Sequence, residues 1–362
     1  MKESKGTPKP QSNRRSFLKN GMLAAGVATV GGGLLTKASA FSRDQQEGSL
    51  TPGDAAILQL LLAAEIIETD LWQQYNELGG VAAPDSTYVA ALKKLDGDMP
   101  QYISDNTDDE MSHVSFLTAY LLSKGHQPVN LDQFRTLHPS KAPGASQGGR
   151  LTNLMQLSVD TTWWTRYRSK ENPDLGARFP QAVPSLAQGK FPAIPTSGAD
   201  LGDPTTITDH IQAIANTAGF HFGFIEQAGT SLYATLSQRV SSPEVLRITI
   251  GIGGSEIMHF QVWHDKAGNA VPLTDGALTF VDLTQNQPES LQANLIMPEP
   301  CDFIKGLPEC AIIRPTGAGQ LDAVGAINGF FEDGLFAGQQ DPRFKELLFR
   351  LANAADQAQR EL

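Results

Sequence analysis

The chain has 362 residues, 40% of them hydrophobic, with 28 Lys or Arg against 39 Asp or Glu and a formal net charge of −11. That is enough apolar side chain for a substantial core in one large domain or two, and enough negative charge to be repelled by a phosphate backbone, which excludes nucleic acid as an expected partner. Its two cysteines, Cys301 and Cys310, cannot be the main staple of so long a chain, although in a loop-like stretch (CDFIKGLPEC) outside the cytoplasm they suit a local disulfide.

Residues 1–40 run from polar and basic through mildly apolar to small. Ser12-Asn13-Arg14-Arg15-Ser16-Phe17-Leu18-Lys19 is a twin-arginine signature, Met22 to Leu35 is a short core rich in Gly and Ala, and Ala38-Ser39-Ala40 fits an A-x-A cleavage site. The segment resembles a Tat signal peptide. Its apolar core is shorter than the roughly 20 residues that span a bilayer, and no later segment is long and apolar enough. The expectation is therefore a soluble periplasmic or secreted protein, off the membrane once the signal is cut. Removing residues 1–40 takes away seven basic residues and Glu3, and leaves a net charge of −17. Tat substrates cross folded, often with a metal already inserted, which raises the expectation of a metal site.

After a linker over residues 41–50, Thr51-Pro52-Gly53-Asp54 reads as a helix start: a Thr cap, Pro in the first turn and an acid three residues after the cap. The run to Leu78 keeps Leu58, Leu61, Leu62 and Trp72 on a 3.6 period until Gly79-Gly80 stops it. Glu65 and Glu68 fall on that apolar face, where an acid is costly unless paired or metal-bound. A connector over 81–98, with a turn or two of helix near Tyr88 to Leu95, leads to a second helix from about Pro100 to Lys124. It carries Glu110-Met111-Ser112-His113, and Leu117 and Leu121 continue the His113 stripe towards the core.

Residues 126–205 are rich in Pro and Gly and read as a crossover with embedded short elements, since connections this long carry structure or function of their own. Trp163, Trp164 and Tyr167 are too large and apolar to leave in water, so Leu151 to Arg168 is expected to be ordered. Trp163, Trp164, Arg166 and Arg168 could line a substrate opening, but a packed lid over the bundle is the preferred reading. A third helix, capped by Thr208, runs to about Arg239 with Glu226 beside its inward stripe. Ser241-Ser242-Pro243-Glu244 opens a fourth, to about Ala267, with Glu256-Ile257-Met258-His259 and three glycines, Gly251, Gly253 and Gly254, read as close-packing positions. Residues 268–362 are read as a loop-rich extension to about Thr316, then two helices, Gln320 to Ala337 and Pro342 to Glu361, packing on the bundle or on a partner subunit.

Residues three apart on a helix sit about 60° from one another, so each Glu-x-x-His presents a carboxylate and an imidazole on one face. The order is repeated: a Glu helix, an ExxH helix, a long crossover, and the same again. Glu65 and Glu226 are each followed seven residues later by an aromatic, Trp72 and Tyr233, an echo that favours Glu65 over Glu68 as the partner of Glu226. One Glu from each of two helices and ExxH from each of the other two is the arrangement of di-iron and di-manganese carboxylate bundles, and four carboxylates with two imidazoles suit a pair of divalent Fe or Mn ions. His221 and His264 lie about 140° off the ligand face, and His126, His138 and His210 lie in loops or at a helix start. None of these five is expected to be a ligand.

Here the chain resembles the ferritin-like superfamily, in particular exported ferritin-like proteins grouped with plant desiccation-related proteins. Ala64 to Trp72 loosely matches that group's LEYLEAAFY-type first-helix pattern, with Trp72 in place of Tyr. The resemblance covers about residues 51–267 less the crossover. It implies an all-α four-helix bundle with a long crossover between helices 2 and 3 and additional C-terminal helices. Glu110 and Glu256 would bridge two metals, Glu65 and Glu226 would be terminal ligands, and His113 and His259 would bind one metal each, with Glu68 in reserve. The expected function is an oxidoreductase-type reaction with dioxygen or peroxide. The alternative is a non-catalytic stress protein, with homo-oligomers compatible with either.

Overall fold

The computed structural model of the protein describes residues 49–167, 179–284, 298–299, 310–311 and 322–361. The signal-like segment, most of the linker, and the Cys301–Cys310 pairing lie outside the described residues.

Four long helices appear within two residues of the bounds that the sequence signals give: α1 (Pro52–Gly79), then a short α2 (Thr87–Leu92) in the connector, and α3 (Met99–Ser123). Thr51 Oγ1 accepts the Asp54 N–H at 3.0 Å, and Pro52 fills the first turn, where an N–H would be unsatisfied anyway. α3 stops because Gly125 takes a φ of 80° that a side chain would resist. The crossover holds a 3-10 turn (Asp132–Phe134), α4 (Thr162–Tyr167), α5 (Pro184–Gln188) and α6 (Gly198–Leu201). α7 (Asp209–Ser237) starts on Thr208 Oγ1, and α8 (Pro243–Ala267) on Ser242 Oγ followed by Pro243.

Hydrogen bonds between helices fix the directions. Along α1 and α3, Glu65 meets His113, Trp72 meets Thr107 and Asn76 meets Ser104, an antiparallel order. α7 and α8 are antiparallel likewise, through Glu226 with His259 and Ser237 with Thr249. Across the pairs, Glu65 meets Tyr233 and Tyr75 meets His221, while Asn106, Asp109 and His113 meet Trp263, His259 and Ser255. Being antiparallel to both α3 and α7, α1 makes those two point the same way. The chain leaving α3 must therefore climb the bundle, about 37 Å at 1.5 Å per residue, before α7 can begin. The long crossover does this, and it is what separates ferritin-like bundles from simple up-and-down ones.

Asp70, fully buried on α1, ties the crossover down. Its Oδ2 accepts the Leu151 and Thr152 N–H groups at 3.0 Å and the Thr152 hydroxyl at 2.7 Å, while Oδ1 pairs with Arg135 at 2.6 Å. Trp163 and Trp164 are buried, and a Cβ on Gly223 of α7 would collide with the Trp163 ring. These two residues are a packed lid; the Arg166 and Arg168 side chains lie outside what is described.

Three readings need correction. Gly253 is a close-packing position, since a Cβ there would come within 2.8 Å of Tyr233 Cβ, but Gly251 and Gly254 face open space. The stretch after α8 is not all loop: β1 (Leu273–Asp275) and β2 (Leu278–Phe280) form a hairpin turning at Gly276, φ 57°, with Leu273 opposite Phe280. Two further short strands, β3 (Pro298–Glu299) and β4 (Cys310–Ala311), pair antiparallel. The last helices are shorter than the apolar stripes suggest. α9 (Ala323–Glu332) is capped by Asp322 and ends before Gly334, φ 87°, and α10 (Pro342–Gln357) packs on α1. The fold is all-α with minor hairpins, and no helix among the described residues is long and apolar enough to cross a membrane.

Asp70→Ala leaves two buried amides and the Arg135 guanidinium without their carboxylate. It is expected to cost about 3 kcal/mol or more, to be read as a lowered midpoint in denaturant unfolding.

Candidate metal centre

The four helices bring their buried carboxylates and two imidazoles together in one band near mid-length, with mainly apolar layers on either side. Below it, towards the α1 C-terminus, Trp72, Phe222 and Trp263 stack with ring centroids 4.7 to 5.3 Å apart, and Tyr75 sits edge-on to Phe222. Above it lie Leu58, Leu61, Leu117, Leu121 and Leu236, all fully buried. Between these layers Glu65, Glu110, Glu226 and Glu256 are essentially inaccessible, and His113 and His259 nearly so.

Side-chain atoms from these six residues fall into two groups of four, one of Glu65, Glu110, His113 and Glu256, the other of Glu110, Glu226, Glu256 and His259. Within each group one ligand atom per residue lies within 4.8 Å of the others. Glu110 and Glu256 belong to both, so the two groups share an edge. Glu68 is also buried and faces the same band, but belongs to neither group.

Both imidazoles turn Nδ1 inward. His113 Nδ1 lies 2.9 Å from Glu110 and 3.3 Å from Glu65, and His259 Nδ1 lies 3.1 Å from Glu110 and 3.2 Å from Glu226. The outward nitrogens have acceptors: His259 Nε2–H donates to Asp109 Oδ2 at 3.2 Å and His113 Nε2–H to Ser255 Oγ at 3.1 Å, the Ser255 hydroxyl being spent on the Ile252 carbonyl. An outward N–H so held leaves Nδ1 free to act as a metal ligand. Tyr233 donates its hydroxyl to Glu65 Oε1, and the Asn106 amide donates to Glu110 Oε1 at 2.9 Å and Glu226 Oε1 at 3.0 Å, with Asn106 itself fixed by the Trp263 indole N–H at 2.8 Å.

Without an ion, protons must balance the charge. Burial, only partly offset by the His113 hydrogen bond, raises the Glu65 carboxyl to about 7. Burial and the charges of Glu110, Glu68, Glu226 and Glu65 push Glu256 well above the usual carboxylate range. Burial opposes charge on Glu110 too, yet the hydrogen bonds from His113 and His259 hold it at about 2. Against burial, the hydrogen bonds to Glu110 and Glu65 raise His113 to about 10. Glu256 exposes the deficit: both of its oxygens are buried without a hydrogen-bond partner. Gly229 makes their place, because a Cβ there would collide with Glu256 Oε2. A carboxylate sunk into the core with no donor, at the edge shared by two oxygen and nitrogen groups, fits the binding of a hard-to-borderline divalent cation.

The five remaining histidines lie outside both groups. His221 bonds the Tyr75 hydroxyl at 2.6 Å, and His264 lies against Trp163 and Phe260. The Trp72 and Tyr233 echo needs a correction: Tyr233 serves Glu65, whereas Trp72 stacks in the floor and Asn106 takes the matching place on Glu226. Sequence reasoning missed Asn106, Asp109, Ser255 and the purpose of Gly229. The signal that could have found two of these is a polar residue just before each ExxH glutamate, Asp109 and Ser255, each of which holds the histidine of the opposite helix.

An antiparallel four-helix bundle with one long crossover and this ligand band defines a ferritin-like carboxylate protein. A ferritin-like domain family matches residues 53–269, and the chain belongs to that family. No curated protein and no solved structure matches it significantly.

The metal-free protein should lose stability as pH rises. Glu65 holds its proton to about 7 when folded against an ordinary 4.5, so between those values the folded state binds more protons than the unfolded one. The raised His113, at about 10, acts in the same direction above its ordinary 6.5, and the carboxyls of Glu256 and Asp333, also raised by burial, add to Glu65 and outweigh the opposite pull of His221, which burial lowers to about 3. The midpoint of thermal unfolding in chelator is expected to fall steadily from pH 4.5 through 7; a flat or rising profile contradicts the charge balance drawn here.

Proposed function

We propose that this is an exported protein whose bundle holds two Fe or Mn ions that react with dioxygen or peroxide. The observation that carries the reading is the sharing of Glu110 and Glu256 between the two ligand groups. In this reading they bridge, Glu65 and His113 complete one site, and Glu226 and His259 complete the other. Bound ions would supply electrons and a Lewis-acid hold on a small oxygen ligand.

The chain's own contribution is preorganisation. Tyr233 and Asn106 keep Glu65 and Glu226 from swinging, and Asp109 and Ser255 fix the imidazole planes. The aromatic floor and leucine roof keep bulk water from the band, which strengthens every electrostatic contact inside it. The twin-arginine segment supports export in a folded, metal-loaded state.

Elemental analysis of the protein from its exported fraction should give about two equivalents of iron or manganese per chain. Glu110→Ala combined with Glu256→Ala should remove both, because each group loses two of its three carboxylates, the two shared ones, at once. Unchanged metal content in that double variant would sink the assignment. Glu68→Gln should retain the metal.

A further inference from the structure

Beside the carboxylate band, between α1, α7 and the C-terminal α9, lies a cavity of about 50 Å³. Glu65, Glu68 and Tyr233 form its inner end, and Ala326 and Phe330 of α9 roof it. On this measure a water needs roughly 10 to 15 Å³, so there is room for a molecule of about three to five heavy atoms and none for a six-membered ring or an acyl chain. The walls are mainly apolar. Glu68 is only 8% exposed, and its Oε1 has no hydrogen-bond partner although it lines this space. The sequence marks the position as one-sided: three residues after Glu65 comes Glu68, but three residues after Glu226 comes Gly229.

Polarity decides what can use the space. Burial raises the Glu68 carboxyl well above the usual carboxylate range and Asp333, at the α9 side of the lining, to about 7. Among the described residues no lysine or arginine lines the cavity, and the His221 beside it is held neutral, since burial pulls its pKa down to about 3. Neither a small anion nor a hydrated cation therefore finds a counter-charge there, and either would have to shed water against mainly apolar walls.

We propose that this cavity is the route by which a small uncharged oxidant reaches the metal pair, its apolar walls keeping ions of the same size out. The inference rests on the two-metal reading above, and it assigns the C-terminal extension a part in the site: α9 closes a chamber that the four bundle helices leave open.

Nitric oxide is the probe, an uncharged diatomic whose complex with ferrous iron is seen by absorbance and electron paramagnetic resonance, with azide as the anion of comparable width on the oxidised protein. Ala228→Leu on α7 and Ala326→Leu on α9 fill the chamber from separate walls. Each is expected to slow nitrosyl formation by about tenfold, about 1.4 kcal/mol on the barrier to access, with iron content unchanged. Azide, which the apolar walls exclude, is expected to bind either filled variant at the rate of the unaltered protein. Iron-loaded variants with unchanged nitrosyl rates would overturn the route. An azide rate that falls together with the nitrosyl rate would overturn the exclusion of ions from it. Absence of iron or of a nitrosyl in the unaltered protein would instead bring down the two-metal reading, and this one with it.

Discussion

The structure depends on one electrostatic constraint: five glutamates and two histidines share a band of the core between layers of leucine and aromatic ring. Carboxylates placed so close cannot all be charged in a poorly polarisable medium unless cations lie among them. In the metal-free chain, imidazolium protons and protonated carboxyls take that part, and they do so incompletely, as the two bare oxygens of Glu256 attest. A core designed for stability alone would fill such a band with leucine. That this one keeps acids there, and spends a glycine on α7 to seat one of them, is the physical reason to read the band as a binding site rather than as packing.

The two halves of the bundle repeat one plan but do not copy each other. Each ExxH helix contributes a polar residue, Asp109 or Ser255, that steadies the other helix's imidazole, and this reciprocity welds α3 to α8. The outer glutamates are held differently, Glu65 by a phenol from α7 and Glu226 by an amide from α3. The side with the phenol also has Glu68 and the chamber. The two ligand groups, alike in composition, thus sit in unlike surroundings.

What the sequence made legible was what is local along the helix axis. Thr51, Thr208 and Ser242 marked helix starts through bonds to N–H groups two or three residues away, and ExxH put ligands on one face through the helical repeat alone. What stayed hidden depends on pairs far apart in the chain: Asn106 with Trp263, Tyr233 with Glu65, Gly229 with Glu256. No periodicity encodes which neighbour a side chain will meet across a bundle. The hairpin after α8 was missed because its strands are three residues each, too short to show an alternation. The extension's helices were drawn too long because apolar stripes do not stop where a left-handed glycine stops the backbone, as at Gly334.

The division of ligands between the two helical hairpins has a consequence for the order of events in maturation. Each group of four takes three residues from one hairpin and its fourth, a shared glutamate, from the other. Neither hairpin alone can complete a cradle, however well formed it is, so full occupancy reports that the chain has travelled the crossover and locked its halves together. Ions bound there would then serve as a certificate that the fold is complete.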